Sequence, residues 1–264
     1  MMYQAYQAHA DMVAPLQAAA SAAAASSGAW PGMLSKNSLA REIGAFYEWL
    51  ALARLTHQRP SFGIDAVQID HQVVAVSEEV VHRMPFCSLL HFKKDVQPTR
   101  VLLVAPLAGH FATLLRGTVV TMLAEHDVYI TDWHNARAVP LSDGPFGLDD
   151  CVGHLIGFLE LLGPGSHVVA VCQPTVATLA VALMAEDGNP AQPRSMTLIA
   201  GPNDTRINPT QVDDTAVRTP LEWFENGLID LVPMRFQGRC GTSIPDFCNL
   251  ARSCSWTFGG TPAR

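Results

Sequence analysis

Cys172 stands inside the run Ser166-His167-Val168-Val169-Ala170-Val171-Cys172-Gln173-Pro174-Thr175, and the apolar stretch Val176 to Met184 follows directly. The period of this segment predicts a buried strand, a sharp turn at Cys172-Gln173, and a helix with Pro174 in its first turn, where a missing N–H costs nothing. A nucleophile at a strand-to-helix turn is lifted above the carboxyl edge of a sheet and faces the helix N-terminus. That end of a helix favours both a thiolate and a developing oxyanion, so the chemistry on offer is attack on a carbonyl carbon. The usual pattern for such a turn is G-x-S-x-G, and here the five residues read Ala170-Val171-Cys172-Gln173-Pro174. Cysteine replaces serine and neither flank is glycine. A second reading therefore stays open, a structural cysteine buried at a strand end.

Acyl transfer at such a turn needs a second backbone donor, from the loop after an earlier strand. Val101 to Ala105 is a continuous apolar run of the kind a strand shows when both its faces are covered, and the loop Pro106-Leu107-Ala108-Gly109-His110 leaves it. Together with the N–H of Gln173, the N–H of Leu107 is the candidate oxyanion hole. An ordinary strand-to-helix connection is the competing reading of that loop. His110 in the loop and His134 after the next strand are candidate substrate-proximal residues. Either could also be read as a relocated base. His167, at the start of the Cys172 strand, belongs at the opposite edge of the sheet.

The elements that must position these residues are read from periodicity. Tyr3 to Ala25 is alanine-rich helix, and Ser26 to Gly32 breaks it. A second helix follows Ser38, with Ile43, Phe46, Tyr47, Leu50 and Leu55 at three- and four-residue spacings. These aromatics are expected to pack the segment onto the main domain, with a partner- or polymer-binding face as the alternative. Val73 to Val81 and Phe86 to Phe92 predict an antiparallel pair at a sheet edge. Helices are expected from Phe111 to Glu125 and from Leu148 to Leu162, with Ser142, Asp149 and Asp150 as cap and first-turn residues of the latter. Strands follow at Asp127 to Trp133 and Ser195 to Ala200. Strands alternating with helices at this rhythm imply an α/β fold, a mostly parallel sheet with helices on both faces, preceded by an N-terminal helical extension.

Composition narrows the class. At 264 residues and 48% hydrophobic, the chain can bury one substantial core. Its 17 lysines and arginines form no basic stripe and the net charge is −7, which argues against nucleic acid. The six cysteines show no metal-ligand spacing, so neither a metal nor a cofactor is expected. The Ala18 to Ala25 stretch is too short to cross a bilayer. A cytoplasmic protein is the simplest expectation.

With the turn and the loops placed, the chain resembles the intracellular polyhydroxybutyrate depolymerases, relatives of the α/β-hydrolases. The resemblance rests on Tyr3 to Gln7, Leu52 to His57, Arg59-Pro60, Phe62 to Ile64, Gly109 to Val119, Tyr129 to Trp133, Val139 to Ser142, Leu148 to Asp150, Val171 to Val176, Asn203 to Thr210 and Glu222 to Glu225. It implies an α/β-hydrolase-like domain, Cys172 as nucleophile, amorphous poly(3-hydroxybutyrate) as substrate, and residence at storage-granule surfaces. A polyhydroxyalkanoate synthase relative would flank the cysteine with glycines, where this chain has Ala170 and Pro174. In the hydrolase order the acid and the histidine follow the nucleophile, yet none of the ten histidines follows Cys172. The expected organisation is a helical segment over 1–60, a truncated hydrolase-like domain over 61–238 lacking its last strands, and an atypical tail over 239–264 translated out of frame. Impaired activity is the corresponding expectation, and a catalytically silent granule-surface protein is the alternative.

Overall fold

In the computed structural model, residues 2–28, 38–52, 59–95, 99–107, 111–184, 189, 191–227, 230–233, 235–237 and 242–243 are described. Internal contacts divide the chain into two units, Met1–Gln58 and Arg59–Arg264. In the first, helices α1 (Met2–Gly28) and α2 (Ser38–Leu52) pack against each other. On α2, the Phe46 ring centroid lies 6.0 Å from that of Tyr47 and 6.2 Å from that of Trp49. Leu55 lies outside the described residues.

The second unit is built on a six-stranded sheet. Its elements begin with β1 (Ala66–Ile69), β2 (Gln72–Ala75), β3 (Ser77–Arg83), β4 (Cys87–Lys93) and β5 (Arg100–Val104). They continue with helix α3 (Arg116–Leu123), β6 (Asp127–Trp133), α4 (Leu148–Leu162), β7 (His167–Val171), α5 (Thr175–Met184) and β8 (Ser195–Ile199). The strand order is β3-β4-β6-β5-β7-β8. The β3–β4 and β4–β6 pairs are antiparallel, while β6, β5, β7 and β8 run parallel. The mostly parallel α/β sheet read from the sequence is therefore present.

Val101 to Val104 are all buried because β5 is covered twice. On one face, Leu155, Phe158 and Leu159 of α4 and Ala177 and Val181 of α5 meet Leu102, Val104, Val168 and Ala170. On the other, Val119 and Leu123 of α3, with Phe62 and Val67, meet Leu90, Phe92, Leu103 and Ile130. Each such fully buried leucine contributes about 2 kcal/mol of transfer free energy. Burial thins towards β8, whose residues alternate between exposed and half-buried.

Several local outcomes differ from expectation. The predicted strand Val73 to Val81 is two strands, because Val76 turns into the core and its N–H donates to Asp65 O at 2.9 Å. The β1–β2 turn is made by Asp70 (φ +45°) and His71 (φ +69°), types that tolerate the left-handed region. The helix predicted from Phe111 opens as a 3-10 turn, Ala112–Leu115. Asp150 does serve α4, its Oδ2 accepting from Gly147 N–H at 2.7 Å, whereas the Ser142 hydroxyl donates to Asp143 at 3.4 Å.

At the amino edge of the parallel strands, His91 lies between two carboxylates, with Nδ1 at 3.0 Å from Glu79 Oε1 and Nε2 at 2.7 Å from Asp127 Oδ1. Both ring nitrogens can donate only in the imidazolium. Burial alone would push the imidazolium down, but the hydrogen bonds to Asp127 and Glu79 outweigh it and the net shift is upwards from 6.5. A raised folded-state value adds stability in full below the unfolded value, and this is lost as pH rises through the folded one. We expect His91→Gln to be most destabilising below about pH 6.5, with the difference shrinking towards alkaline pH. Urea unfolding of both proteins across pH measures this; a difference that grows with pH would contradict it.

Candidate active site

The turn after β7 decides what Cys172 can do. Its φ is +67°, a conformation that costs a non-glycine residue about 1–2 kcal/mol. Such strain persists only where surroundings impose it, and it concentrates at functional sites. Two bonds impose it here: Cys172 N–H donates to Ile199 O on β8 at 2.8 Å, and Thr175 N–H donates to Cys172 O at 3.2 Å. The first ties the turn to the neighbouring strand and the second starts α5. The outcome is an exposed free thiol above the carboxyl edge, at the head of a ten-residue helix. The alternative of a cysteine buried at a strand end does not hold for Cys172.

That reading fits Cys87, at the start of β4, and Cys151 is likewise buried, in the first turn of α4. Burial pushes the Cys87 thiol well above 9.0, and nearby Asp132 adds to the effect. Burial likewise pushes Cys151 up to about 12. Thiolate, not thiol, is the reactive form. Iodoacetamide is therefore expected to modify Cys172 in the folded protein and to spare Cys87 and Cys151 until urea is added. Peptide mass spectrometry reads this directly; equal labelling of all three would contradict the arrangement.

A feature invisible in the sequence holds the turn from β8. Ala200 has φ +52°, so the chain bends just after the strand that Cys172 is bonded to. Gly201 then lies so close to α5 that a Cβ there would sit 2.5 Å from Thr175 Cβ and Cγ2, and closer still to Oγ1. In G-x-S-x-G turns glycine flanks the nucleophile; here Ala170 and Pro174 occupy those flanks, and the close approach is made by a glycine twenty-nine positions downstream of Cys172.

Gln173 and Leu107 leave adjacent strands, since Val104 of β5 pairs with Ala170 of β7. Gln173 is buried directly after Cys172 and Leu107 is half-buried. His134 has its ring turned towards β4, on the side of β6 away from β5 and β7. Its Nδ1–H donates to Pro85 O at 2.9 Å, and Nε2 lies 2.7 Å from the Ser88 hydroxyl. His110 lies outside the described residues. His167 Nδ1 meets Ser195 Oγ at 2.5 Å at the amino edge, where the sequence places it. Of the acids after Cys172, Asp204 binds Arg206 at 2.8 Å, Asp213 accepts from Thr210 N–H at 2.8 Å, and Asp214 pairs with Arg218 at 3.7 Å. Among the described residues, no histidine ring is bonded to the Cys172 thiol. Among the described residues, no group of three or more His, Cys, Asp or Glu could hold a metal ion, and no helix is long and apolar enough to cross a membrane.

Ala200 and Gly201 also open a segment that carries a family match. Residues 200–257 match the family model described as PHB de-polymerase C-terminus. The resemblance to polyhydroxybutyrate depolymerases read in the sequence is met in this segment. The depolymerase match begins at Ala200, beside Gly201, and crosses the boundary between the expected hydrolase-like domain (61–238) and the tail (239–264). Among solved structures, the naproxen esterase (carboxylesterase NP) of Bacillus subtilis is 15% identical over 47% of this chain and 42% of its own, at a TM-score of 0.33. Carboxylesterase CesB of Bacillus subtilis is 12% identical over 47% of this chain and 44% of its own, at a TM-score of 0.33. The chain thus spans less than half the length of either. No curated protein matches it.

Proposed function

We propose that this chain is an ester hydrolase whose Cys172 cleaves the ester links of poly(3-hydroxybutyrate). One observation carries the reading: an exposed thiol at φ +67° on a strand-to-helix turn. The depolymerase match over residues 200–257, which begins beside Gly201, supports the substrate class. The reaction runs in two halves. The thiol first gives its proton to solvent, and the thiolate attacks the ester carbonyl carbon. A C–S bond forms as the carbonyl π pair moves onto oxygen, where the N–H groups of Gln173 and Leu107 receive it. The oxyanion collapses, the C–O bond breaks, and the departing alkoxide takes a proton from water. Water then attacks the thioester, releasing a 3-hydroxybutyrate carboxylate and restoring the thiol.

A second reading, adsorption to granules without catalysis, is favoured by the aromatic cluster on α2, where Phe46 is 55% and Trp49 64% exposed. One assay separates the two. Purified protein is mixed with amorphous poly(3-hydroxybutyrate) granules, and soluble 3-hydroxybutyrate and sedimented protein are both measured. Release of 3-hydroxybutyrate supports the hydrolase. Sedimentation without release supports the surface protein and sinks the hydrolase.

A further inference from the structure

The loop that leaves β5 is held by β6 in a way that matters for catalysis. The β5–β6 ladder ends at Leu103 opposite Ile130, and the β5–β7 ladder ends at Val104 opposite Ala170. Ala105 is completely buried beyond both ladders, so its peptide N–H and C=O need other partners. Two side chains of β6 supply them. The Thr131 hydroxyl accepts from Ala105 N–H at 2.9 Å, and the Trp133 indole Nε1–H donates to Ala105 O at 2.9 Å. Both residues are buried, and two positions apart on a strand they share one face. Pro106 follows, with φ restrained by its ring and no N–H to satisfy. The chain is thereby directed to Leu107 by two bonds and one ring.

We infer that Trp133 and Thr131 are positioning residues of the esterase site, setting through Ala105 the place of the Leu107 amide at the carbonyl oxygen of an acyl substrate. This rests on the reading of Cys172 as nucleophile.

The test separates carbonyl chemistry from simple reactivity of the thiol. Acylation of Cys172 by p-nitrophenyl butyrate passes through an oxyanion; alkylation by iodoacetamide does not. Trp133→Phe keeps an aromatic ring and removes the donor. Thr131→Val removes the acceptor, and Thr131→Ser restores it. Each is followed by the p-nitrophenolate burst and by mass spectrometry of the Cys172 peptide, with the Cys172→Ala background subtracted. Losing a whole oxyanion donor costs about 10²–10³-fold, so a displaced one is expected to slow acylation roughly 10–100-fold. Alkylation should stay within about twofold of wild type, because the turn that carries Cys172 is braced separately by Ile199 and Gly201. Thr131→Ser should recover most of the loss seen in Thr131→Val. Acylation at the wild-type rate in Trp133→Phe overturns the inference, and so does an equal fall in acylation and alkylation, which would mark a general loosening. A wild-type protein that is alkylated but never acylated overturns the Cys172 reading itself, and this inference with it.

Discussion

Replacing Cys172 with alanine is expected to lower ester cleavage by at least about 10³-fold, because no acyl-enzyme can form. Serine in its place is the more telling change. A hydroxyl keeps the turn but needs a general base to become nucleophilic near neutral pH, whereas a thiolate does not. Since no histidine among the described residues is bonded to the thiol, Cys172→Ser should fall as far as Cys172→Ala. Burst kinetics with p-nitrophenyl butyrate measure all three proteins; a serine variant retaining a tenth of the activity would reveal a base at the turn. Cys172→Gly completes the series. Glycine adopts φ +67° without strain, so it should lose activity while gaining about 1 kcal/mol of stability, net of its own unfolded-state entropy. A more stable, inactive variant is the signature of strain held for function.

The second large effect belongs to Gly201→Ala. A single methyl group there runs into the Cβ and Cγ2 of Thr175 at 2.5 Å, and Thr175 is fully buried at the first residue of α5. Neither neighbour can yield freely: Ala200, just before the glycine, is fixed at φ +52°, and Thr175 is bonded through its N–H to Cys172 O. Overpacking of this kind costs about 3 kcal/mol, and the relief available is to push β8 away from the turn. Urea unfolding should report the loss, and acylation should fall with it because Ile199 moves with β8. Thr175→Ala removes two of the clashing atoms and should recover about 1 kcal/mol in the double variant, a coupling that a double-mutant cycle isolates. A Gly201→Ala protein with unchanged unfolding midpoint and unchanged acylation would show that the approach is not close.

Much of the architecture is local and was therefore readable. The bounds of β6 and α4 agree with those read in the sequence, and in α4 the three-to-four spacing reports which side meets the core. β5 reads as doubly covered from five successive apolar residues, Val101 to Ala105, and it is. Boundaries failed where a side chain or carbonyl from elsewhere intervened. Val76 breaks a β-rich run because Asp65 O claims its N–H, and no window around Val76 contains that fact. The strand-to-helix turn at Cys172 was legible from its place between an apolar strand and Pro174. The exposure of Cys172 was not, since an apolar run that ends in cysteine reads equally as core.

What the chain determines by itself is which groups exist and in what order: a cysteine between a β-rich run and a helix, a proline two residues after it, an apolar strand followed by Pro106 and Leu107, and no histidine beyond His167. Only the tertiary structure decides that the cysteine is bent into the left-handed region by a carbonyl twenty-seven residues downstream, and braced by a glycine that follows the next strand. Only there do Thr131 and Trp133 become the anchors of Ala105. The physical reason is the same in each case. Local pattern records burial, which acts on every residue through its own surface, whereas a site is made of hydrogen bonds and close approaches between residues that become neighbours only when the sheet forms.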